Sequence, residues 1–524
     1  MKKTSFLFLT LCSALSVYPQ LSWSPPSTIS ASIMDDSSQP QVVVDSNGNS
    51  TAIWVENGVV RASFLPLNGT WSTPAVLSGS GASSLRLGVD GSGDVTAVWL
   101  SSNGTVQSAT LPLNGSWSAA TAISASGSET PSLAVNASGT VAIVWANNGF
   151  IQTRTKILGI LSLVSTISPS NSSNPDVAIS TNGKVVAVWR TLLGSGADMI
   201  QSATQTNGTW ASAVNVIPFQ SAYNHNNPAI SIDANGNADV LWFRYLVTNG
   251  VYSNLFLYSA YLPSTSTSWS QPIQISDTGA VNPSSLFLDI RADSFGNKIA
   301  IWSISLDGGT FIVESSFKTP GGAWGPFSIL QDSNLYSLSG GLDCDALGNA
   351  VSVNMVFDGS SVKIQAAEAS TWELVAQLFW GSQRILSSNP NNGFPVVAAN
   401  FEAASKTSFV TALWLTSNGT NTILQAATAS KQSISPPSNL MVTQSVQNYG
   451  VFQDYYNTIT WSASPSPNVF EYVVYRNGVL ISQVNSSTFQ FVDHHAVQNG
   501  SVTYSVAAVD GNLFPSQIIN VNFP

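Results

Sequence analysis

The chain has 524 residues, of which only 8% are charged, and its 27 acidic and 17 basic residues give a formal net charge of −10. A nucleic-acid-binding protein needs a basic surface that displaces counterions from phosphates, so this composition excludes that class. The 16 tryptophans and the 44% hydrophobic fraction predict folded domains with aromatic cores, because disordered chains are poor in aromatic residues.

The N-terminus has the pattern of a secretory signal. Two lysines precede an apolar run from Phe6 to Leu11, and small residues follow at Ser13, Ala14 and Ser16. We therefore expect residues 1–20 to be a signal peptide and the mature chain to be exported in the bacterial manner, to the periplasm, the cell surface or the medium. No later apolar run reaches 18 residues, so no transmembrane segment is expected.

From residue 21 to residue 434 one pattern recurs eight times. It consists of an aliphatic run, an Asp-x-x-Gly-Asn turn, an apolar run that ends in an aromatic residue, and a Trp-Ser pair that follows an Asn-Gly turn. The run-ending aromatic residues are Trp54, Trp99, Trp145, Trp189, Trp242, Trp302, Phe357 and Trp414. The second series is Trp23, Trp71, Trp117, Leu163, Trp210, Trp269, Trp324 and Trp372.

Each repeat divides into four predicted strands. In the first repeat they cover residues 41–45, 50–56, 59–65 and 70–78, and Asn-Gly pairs stand between them. Asn-Gly between apolar runs is a strong hairpin signal. Side chains alternate along a strand, so the adjacent apolar residues Ile53 and Trp54 place apolar groups on both faces of the sheet. Sheets that are covered on both faces and stacked around an axis form a β-propeller.

The eighth repeat lacks its Trp-Ser strand, and such a strand stands at the N-terminus, at residues 21–30. Pairing of this segment with residues 425–430 would close the ring and remove two exposed sheet edges. The sequence therefore predicts an all-β fold with an eight-bladed β-propeller over residues 21–434. Seven blades would result if the weak seventh repeat, residues 342–386, does not form a blade of its own.

The composition changes at Ser435-Pro436-Pro437, and a different pattern follows. Leu440, Trp461, the segment Tyr472–Gly478 and the segment Tyr504–Asp510 occur in the order of a fibronectin type III domain, which residues 435–524 resemble over nearly their full length. The resemblance implies a β-sandwich in which Trp461 fills the space between two sheets and the Tyr504 hydroxyl fixes a corner. It also implies a module that spaces or presents a neighbouring domain.

Motifs for metal or serine chemistry are weak. The run Asp45-Ser46-Asn47-Gly48-Asn49 begins like a calcium-binding loop, but it lacks the Gly and Glu spacing of an EF-hand, and we attribute it to turn formation. Three histidines and two cysteines are few for a zinc site, and no Gly-x-Ser-x-Gly elbow is present. We expect no metal and no cofactor.

The repeats loosely resemble the Asp-box repeats of sialidases, although the nine residues from Asp45 to Trp54 do not match that motif. The resemblance implies a carbohydrate-active enzyme, a glycoside hydrolase or a polysaccharide lyase. Hydrolysis needs two carboxylates across the scissile bond. Glu314 aligns with glutamines on the third strand, and Asp239 aligns with threonines on the second, so both are assigned structural places. No catalytic residue is assigned.

The connection between the second and third strands is longer in blades four to six. From the blade aromatic to the glutamine position there are 7, 8 and 7 residues in the first three blades, and 12, 16 and 12 in the next three. Variable loops on a rigid scaffold usually carry binding sites. These segments and the connection at residues 218–227 contain Arg190, Asp198, Phe219, Tyr223, His225, Arg244, Tyr245, Tyr252 and Asp307.

Aromatic planes with a few hydrogen-bonding groups suit sugar rings or an extended peptide. The sequence therefore favours an exported, non-catalytic protein that binds a glycan or a protein through blades four to six. A carbohydrate-active enzyme and a structural component of an envelope or matrix are the alternatives. The aromatic residues could also serve only to pack the long segments against one another.

Overall fold

The structure is a computed structural model. It describes residues 21–30, 40–193, 198–217, 223–248, 251–276, 287–305, 311–330, 336–370, 380, 383–389, 392–402, 407–432, 434–450, 453–477, 479–494, 501–510, 516 and 518–523. All regular structure in these ranges is β, and none of it is a helix that could cross a membrane. The chain divides into two compact units, residues 21–433 and residues 434–524.

The described strands of the first unit form eight antiparallel sheets, which we number in chain order. Sheet 1 contains β2 (Gln41–Val44), β3 (Ser50–Glu56), β4 (Val59–Leu65) and β5 (Ala75–Val76). Sheet 2 contains β6 (Ser83–Val89), β7 (Val95–Leu100), β8 (Val106–Leu111) and β9 (Thr121–Ala122). Sheet 3 contains β10 (Ser128–Val135), β11 (Val141–Asn147), β12 (Phe150–Ile157), β13 (Ile160–Leu161) and β14 (Ser165–Thr166). Sheet 4 contains β15 (Ser172–Ile179), β16 (Val185–Leu192), β17 (Asp198–Thr206), β18 (Thr209–Trp210) and β19 (Val214–Asn215).

The second half of this unit continues the pattern. Sheet 5 contains β20 (Asn224–Ile232), β21 (Ala238–Thr248), β22 (Val251–Leu262) and β23 (Ile273–Gln274). Sheet 6 contains β24 (Leu288–Ala292), β25 (Lys298–Ser305), β26 (Phe311–Lys318) and β27 (Ser328–Ile329). Sheet 7 contains β28 (Tyr336–Cys344), β29 (Asn349–Phe357), β30 (Val362–Ser370) and β31 (Arg384–Ser387). Sheet 8 contains β32 (Gly393–Glu402), β33 (Thr407–Ser417), β34 (Thr422–Gln432) and the N-terminal β1 (Ser27–Thr28).

The N-terminal segment pairs with the last sheet, as the sequence predicts. Ser27 lies opposite Ala426, and the amide of Ser24 donates to the carbonyl of Thr428 at 2.7 Å. The first strand of each sheet contacts the first strand of the next, and β32 contacts β2. The row of sheets therefore returns to its start, and the architecture of this unit is propeller-like.

The core lies between neighbouring sheets, because each second strand buries both of its faces. Trp54 of sheet 1 packs with Leu413 of sheet 8, whereas the preceding Ile53 packs with Leu85 and Trp99 of sheet 2. Trp54 and Ile53 are both fully buried. Side chains that alternate in direction along one strand thus serve two interfaces.

Tryptophans that precede the fourth strands of sheets 5, 6 and 7 connect each of these sheets to the one before it. The indole Nε1 atoms of Trp269, Trp324 and Trp380 donate to serine hydroxyls of the preceding sheets at 2.8, 2.9 and 2.8 Å; these serines are Ser202, Ser259 and Ser315. Trp23 of the N-terminal segment packs in the same way on sheet 7, next to Ala366. Alanine offers no acceptor there, and the Trp23 Nε1 has no hydrogen-bond partner among the described residues.

The prediction that Phe357 is the aromatic residue of the second strand in sheet 7 is wrong. Asn354, not Phe357, lies opposite the glutamine Gln365, just as Trp145 lies opposite Gln152 in sheet 3. The apolar run continues three residues past this position, so that Phe357 ends β29 and is 41% exposed. The apolar run is longer than the buried part of the strand, so its last residue does not mark the buried position.

Two members of the expected Trp-Ser series also need correction. In sheet 3 the position belongs to Leu161, because the amide of the following Ser162 bonds the third strand, while Leu163 is 85% exposed. In sheet 7 the contact to the preceding sheet is made by Trp380, and the expected Trp372 lies outside the described residues.

The second unit consists of two described sheets. One contains β35 (Ser438–Asn448), β36 (Gln453–Ser462) and β39 (Gln490–Asp493); the other contains β37 (Val469–Arg476), β38 (Val479–Asn485), β40 (Val502–Asp510) and β41 (Ile519–Phe523). Trp461 and Tyr472 share one core with both sheets, as expected for Trp461. The Tyr504 hydroxyl is anchored, since it donates to the Asp493 carboxylate at 2.6 Å and accepts from the Asn457 amide at 3.0 Å.

Candidate functional site

The extra residues of sheets 4 to 6 lengthen strands. Trp189 lies opposite Gln201 and Trp242 lies opposite Tyr258, which confirms the predicted separations of 12 and 16 residues. In sheet 5 the two central strands extend to 11 and 12 residues, against 7 each in sheet 1. The segments that were expected to be loops therefore extend the strands. The side chains at the ends of these strands are attached to hydrogen-bonded backbone.

Asp198 is the centre of the candidate site. It is the first residue of β17 and is fully buried, and its Oδ2 accepts from Nε and Nη2 of Arg190, both at 2.7 Å. Its Oδ1 accepts from the backbone amide of His225, at the start of sheet 5. One carboxylate thus holds the Arg190 guanidinium in a fixed orientation and joins sheet 4 to sheet 5.

His225 lies beside this carboxylate and is almost completely buried. Its Nδ1 is 3.2 Å from the Asp198 backbone oxygen and 3.3 Å from Oδ1, so Nδ1 carries the proton and donates to these acceptors. Burial, together with the charges of Arg244 and Arg190, lowers the pKa of His225 to about 3. Burial also raises the pKa of Asp198, while Arg190 and the His225 amide offset part of that rise. The imidazole is therefore neutral at physiological pH.

Arg244 lies opposite His225 in the sheet and is held by two tyrosines. Its guanidinium carbon is 4.3 Å from the ring centroid of Tyr223 and 3.9 Å from that of Tyr258. The Tyr258 ring stacks in turn on Trp242, with centroids 6.2 Å apart. Stacking of a guanidinium on aromatic faces is an attractive cation–π contact that limits the motion of the arginine.

The sequence missed Tyr258. It occupies in sheet 5 the third-strand position at which several other sheets carry glutamine, as Gln201 does in sheet 4. This departure from the repeat was the available signal. Only the contact with Arg244 shows that the residue belongs to the site.

The structure brings five of the nine predicted site residues together: Arg190, Asp198, Tyr223, His225 and Arg244. Tyr245 is elsewhere, since it is buried and packs with Trp302 of sheet 6, so it is removed from the ligand-contacting set. Phe219, Asp307 and the side chain of Tyr252 lie outside the described residues.

The carboxylates considered for catalysis have structural partners. Glu314 is 1% exposed and accepts from the Trp302 indole at 2.7 Å, and Asp239 binds the Lys318 ammonium at 2.5 Å. Asp45 accepts the amides of Asn47 and Asn49 at 2.9 and 2.8 Å, which confirms the assignment to a turn. Within the described ranges no group of three or more His, Cys, Asp or Glu side chains could hold a metal.

The first strands of sheets 1, 2, 6, 7 and 8 also line a cavity of about 380 Å³. Arg291 in its wall is paired with Asp289 and lies 3.3 Å from Asp343. Burial raises the pKa of Asp289 to about 6. These two carboxylates therefore already bind Arg291 within the cavity wall.

These features define an all-β, propeller-like protein with an arginine–tyrosine cluster where sheets 4 and 5 meet. No protein-family model and no curated protein matches the chain. Solved structures with a similar course include the polysaccharide lyase Uly1, at 8% identity and a TM-score of 0.43, covering 64% of this chain and 97% of that one.

Two further similar structures are a PL25 ulvan lyase and the subtype N11 neuraminidase-like protein of influenza virus A/flat-faced bat/Peru/033/2010. The first has 10% identity and a TM-score of 0.42, and covers 76% of this chain and 94% of that one. The second has 12% identity and a TM-score of 0.37, and the match covers 66% of this chain and 87% of that one. At this degree of similarity, the activities of these proteins cannot be assigned to this chain.

Proposed function

We propose that this chain is an exported, non-catalytic binding protein. It consists of an eight-bladed β-propeller over residues 21–434 and a fibronectin type III module over residues 435–524 that presents it. The ligand is a glycan or a protein segment, bound on the face formed by blades four to six. The observation that carries this proposal is the joint presentation of Arg190 and Arg244 around the buried Asp198–His225 pair.

The cluster is suited to binding because its polar groups are held in place before a ligand arrives. Asp198 fixes Arg190, and Tyr223 and Tyr258 enclose Arg244. Side chains that are already ordered lose little conformational entropy on binding. Tyrosine rings add flat apolar area with a polar edge, which suits a sugar ring or a peptide bond.

The burial of the acid and the imidazole supports binding over hydrolysis. A glycoside hydrolase needs two carboxyl groups aimed at the scissile bond. Asp198 has no exposed side-chain surface and already accepts three donors from Arg190 and His225. A carboxylate in this state orients other residues and does not reach a substrate.

One observation favours a polysaccharide lyase as the second candidate. A lyase removes the proton next to a uronate carboxylate, which requires a neutral base and a cation that binds the carboxylate. The His225 imidazole is neutral and the charges of Arg190 and Arg244 act on it, but its pKa of about 3 makes it a weak base. Because His225 is only 1% exposed, this function would also require the residues that cover the imidazole to move aside.

Binding is tested with glycan and peptide arrays, followed by calorimetry on the ligands found. Tyr223→Ala and Arg244→Ala should each weaken binding at least about tenfold, in line with the loss of a central aromatic or arginine contact. Arg61→Ala is the matched control, because Arg61 is a half-exposed arginine on the third strand of sheet 1. Unchanged binding by both cluster variants, with unchanged circular dichroism, would refute this site.

Incubation with polyuronates and chromogenic glycosides separates the remaining alternatives. Ultraviolet absorbance of an unsaturated uronate, lost in His225→Asn, would establish the lyase. Release of a chromophore would establish a hydrolase. A structural envelope or matrix component would instead self-associate in light scattering and bind none of these ligands.

A further inference from the structure

The outer hairpin of sheet 3 has an apolar tip. Strands β12 and β13 are joined by Leu158-Gly159, and Ile157 lies opposite Ile160. Leu158 is 92% exposed and Ile160 is 76% exposed. Two further aliphatic residues follow at once, Leu163 at 85% and Val164 at 45% exposure. Contiguous exposed apolar surface of this kind marks an interaction site.

The same hairpin in sheet 4 is polar. There Asn207-Gly208 joins Thr206 and Thr209, which lie opposite each other as Ile157 and Ile160 do. The two turns have the same backbone, because φ is +50° at Asn207 and +49° at Leu158, and +80° at both glycines. Asparagine tolerates this left-handed conformation, whereas leucine is strained in it. Leucine at this position therefore destabilises the turn, and the exposed side chain is not needed for the fold.

The charges around the hairpin match a lipid surface. Between Glu129 and Asp176 the chain contains no acidic residue, although its net charge is −10. The two basic residues in this interval, Arg154 and Lys156, both lie on β12, which leads to the tip. The Arg154 Nε donates to the carbonyl of Ser162 at 2.6 Å, so its guanidinium is held at the base of the hairpin. Cations next to an aliphatic tip match lipid phosphates next to acyl chains.

The size and composition of the tip also favour lipid over a protein partner. The tip exposes five aliphatic side chains, far fewer than the roughly 20–30 residues that each partner contributes to a standard protein interface. The exposed apolar residues of the tip are leucine, isoleucine and valine, whereas binding hot spots are rich in Trp, Tyr and Arg. We propose that the tip of the sheet 3 hairpin, residues 157–164, inserts into the surface of a lipid bilayer, with Arg154 and Lys156 at the headgroups.

The test grafts the sheet 4 turn onto sheet 3. The variant Ile157→Thr/Leu158→Asn/Ile160→Thr of the full chain should fold at least as well as the wild type, since asparagine relieves the strained φ. Both proteins are centrifuged with vesicles of phosphatidylcholine, alone or mixed with phosphatidylglycerol, in a flotation assay. The wild type should float with the vesicles, and the graft should lower its bound fraction at least about tenfold.

The reverse graft is the matched gain-of-function variant. Thr206→Ile/Asn207→Leu/Thr209→Ile places the same tip on sheet 4 and should raise the vesicle-bound fraction. Because all variants share residues 1–20, any lipid affinity of that segment is common to them. The proposal is overturned if the wild type stays unbound on both kinds of vesicle, or if the first graft binds as well as the wild type. It is also overturned if sedimentation velocity shows that the tip joins two copies of the chain and no vesicle binding occurs.

Discussion

Acidification should destabilise the face between sheets 4 and 5 through His225. Its imidazole is buried beside Arg190 and Arg244, and its pKa is lowered from 6.5 to about 3. In the unfolded chain the imidazole binds a proton below about pH 6.5, whereas in the folded protein it binds a proton only near pH 3. The contribution of the neutral imidazole to the free energy of unfolding is therefore fully present above pH 6.5 and is lost as the pH falls toward 3.

The magnitude follows from the two pKa values. A tenfold difference in proton affinity corresponds to about 1.4 kcal/mol, so the full range from pH 6.5 to 3 corresponds to about 5 kcal/mol. Between neutral pH and about pH 5 the expected loss in the free energy of unfolding is about 2 kcal/mol. In His225→Asn the side-chain amide can still donate to the Asp198 carbonyl but does not titrate, so this part of the acid dependence should disappear.

The assay combines urea unfolding with NMR of the histidine rings. The chain has only three histidines, at positions 225, 494 and 495, and the signal missing in His225→Asn identifies the first. This signal should stay at its neutral position down to about pH 4.5. A His225 signal that titrates near 6.5, or an equal acid slope in both proteins, would refute the reasoning.

Four further predictions concern contacts between neighbouring sheets, and three of them lie where the ring closes at sheets 7 and 8. Burial raises the pKa of Glu368, whose carboxylate accepts the Leu21 amide at 2.8 and 3.1 Å, to about 7. Its unfolded form therefore loses the proton first, and stability should fall by about 3 kcal/mol as the pH rises from 4.5 to 7, a decline that Glu368→Gln removes. Ala366→Ser should give the Trp23 indole its missing acceptor and add about 1 kcal/mol, while Ser259→Ala should cost about 1–3 kcal/mol by leaving a tryptophan of sheet 6 unpaired. Trp23→Ala should cost about 3–5 kcal/mol, since it removes the packing of the N-terminal segment on sheet 7.

All four variants are measured by urea unfolding of the full chain, monitored by tryptophan fluorescence, with the wild type beside each variant. A pH slope in Glu368→Gln that equals the wild-type slope would show that this carboxyl does not titrate abnormally. A destabilised Ala366→Ser would show that the site of the hydroxyl cannot be reached by the indole. A Trp23→Ala protein of wild-type stability would show that the N-terminal segment is not needed to hold the ring.

The repeat itself could be taken from the sequence. Four strands per unit, Asn-Gly hairpins and second strands with two apolar faces are local properties, because alternation and turn chemistry are set by residues close together in the chain. The pairing of residues 21–30 with the last sheet was also predictable, because one strand was missing at one end and present at the other. The structural role of Glu314 followed from its alignment with the glutamines of the third strands.

Other features required the tertiary structure. Asn354 and Leu161 stand where the sequence suggested Phe357 and Leu163, because a strand's buried part is decided by the sheets that cover it and not by the length of its apolar run. In the candidate site, Tyr245 was expected but is buried, and Tyr258 was overlooked.

The sequence by itself determined the repeat, the two units and the region in which long hairpins gather. The tertiary structure alone decided that Asp198 bonds both Arg190 and His225, and that Arg244 lies between two tyrosine rings. The physical reason is distance along the chain. Hairpins are encoded by neighbouring residues, whereas a buried charge is stabilised by groups that only the folding of separate sheets brings within hydrogen-bond reach.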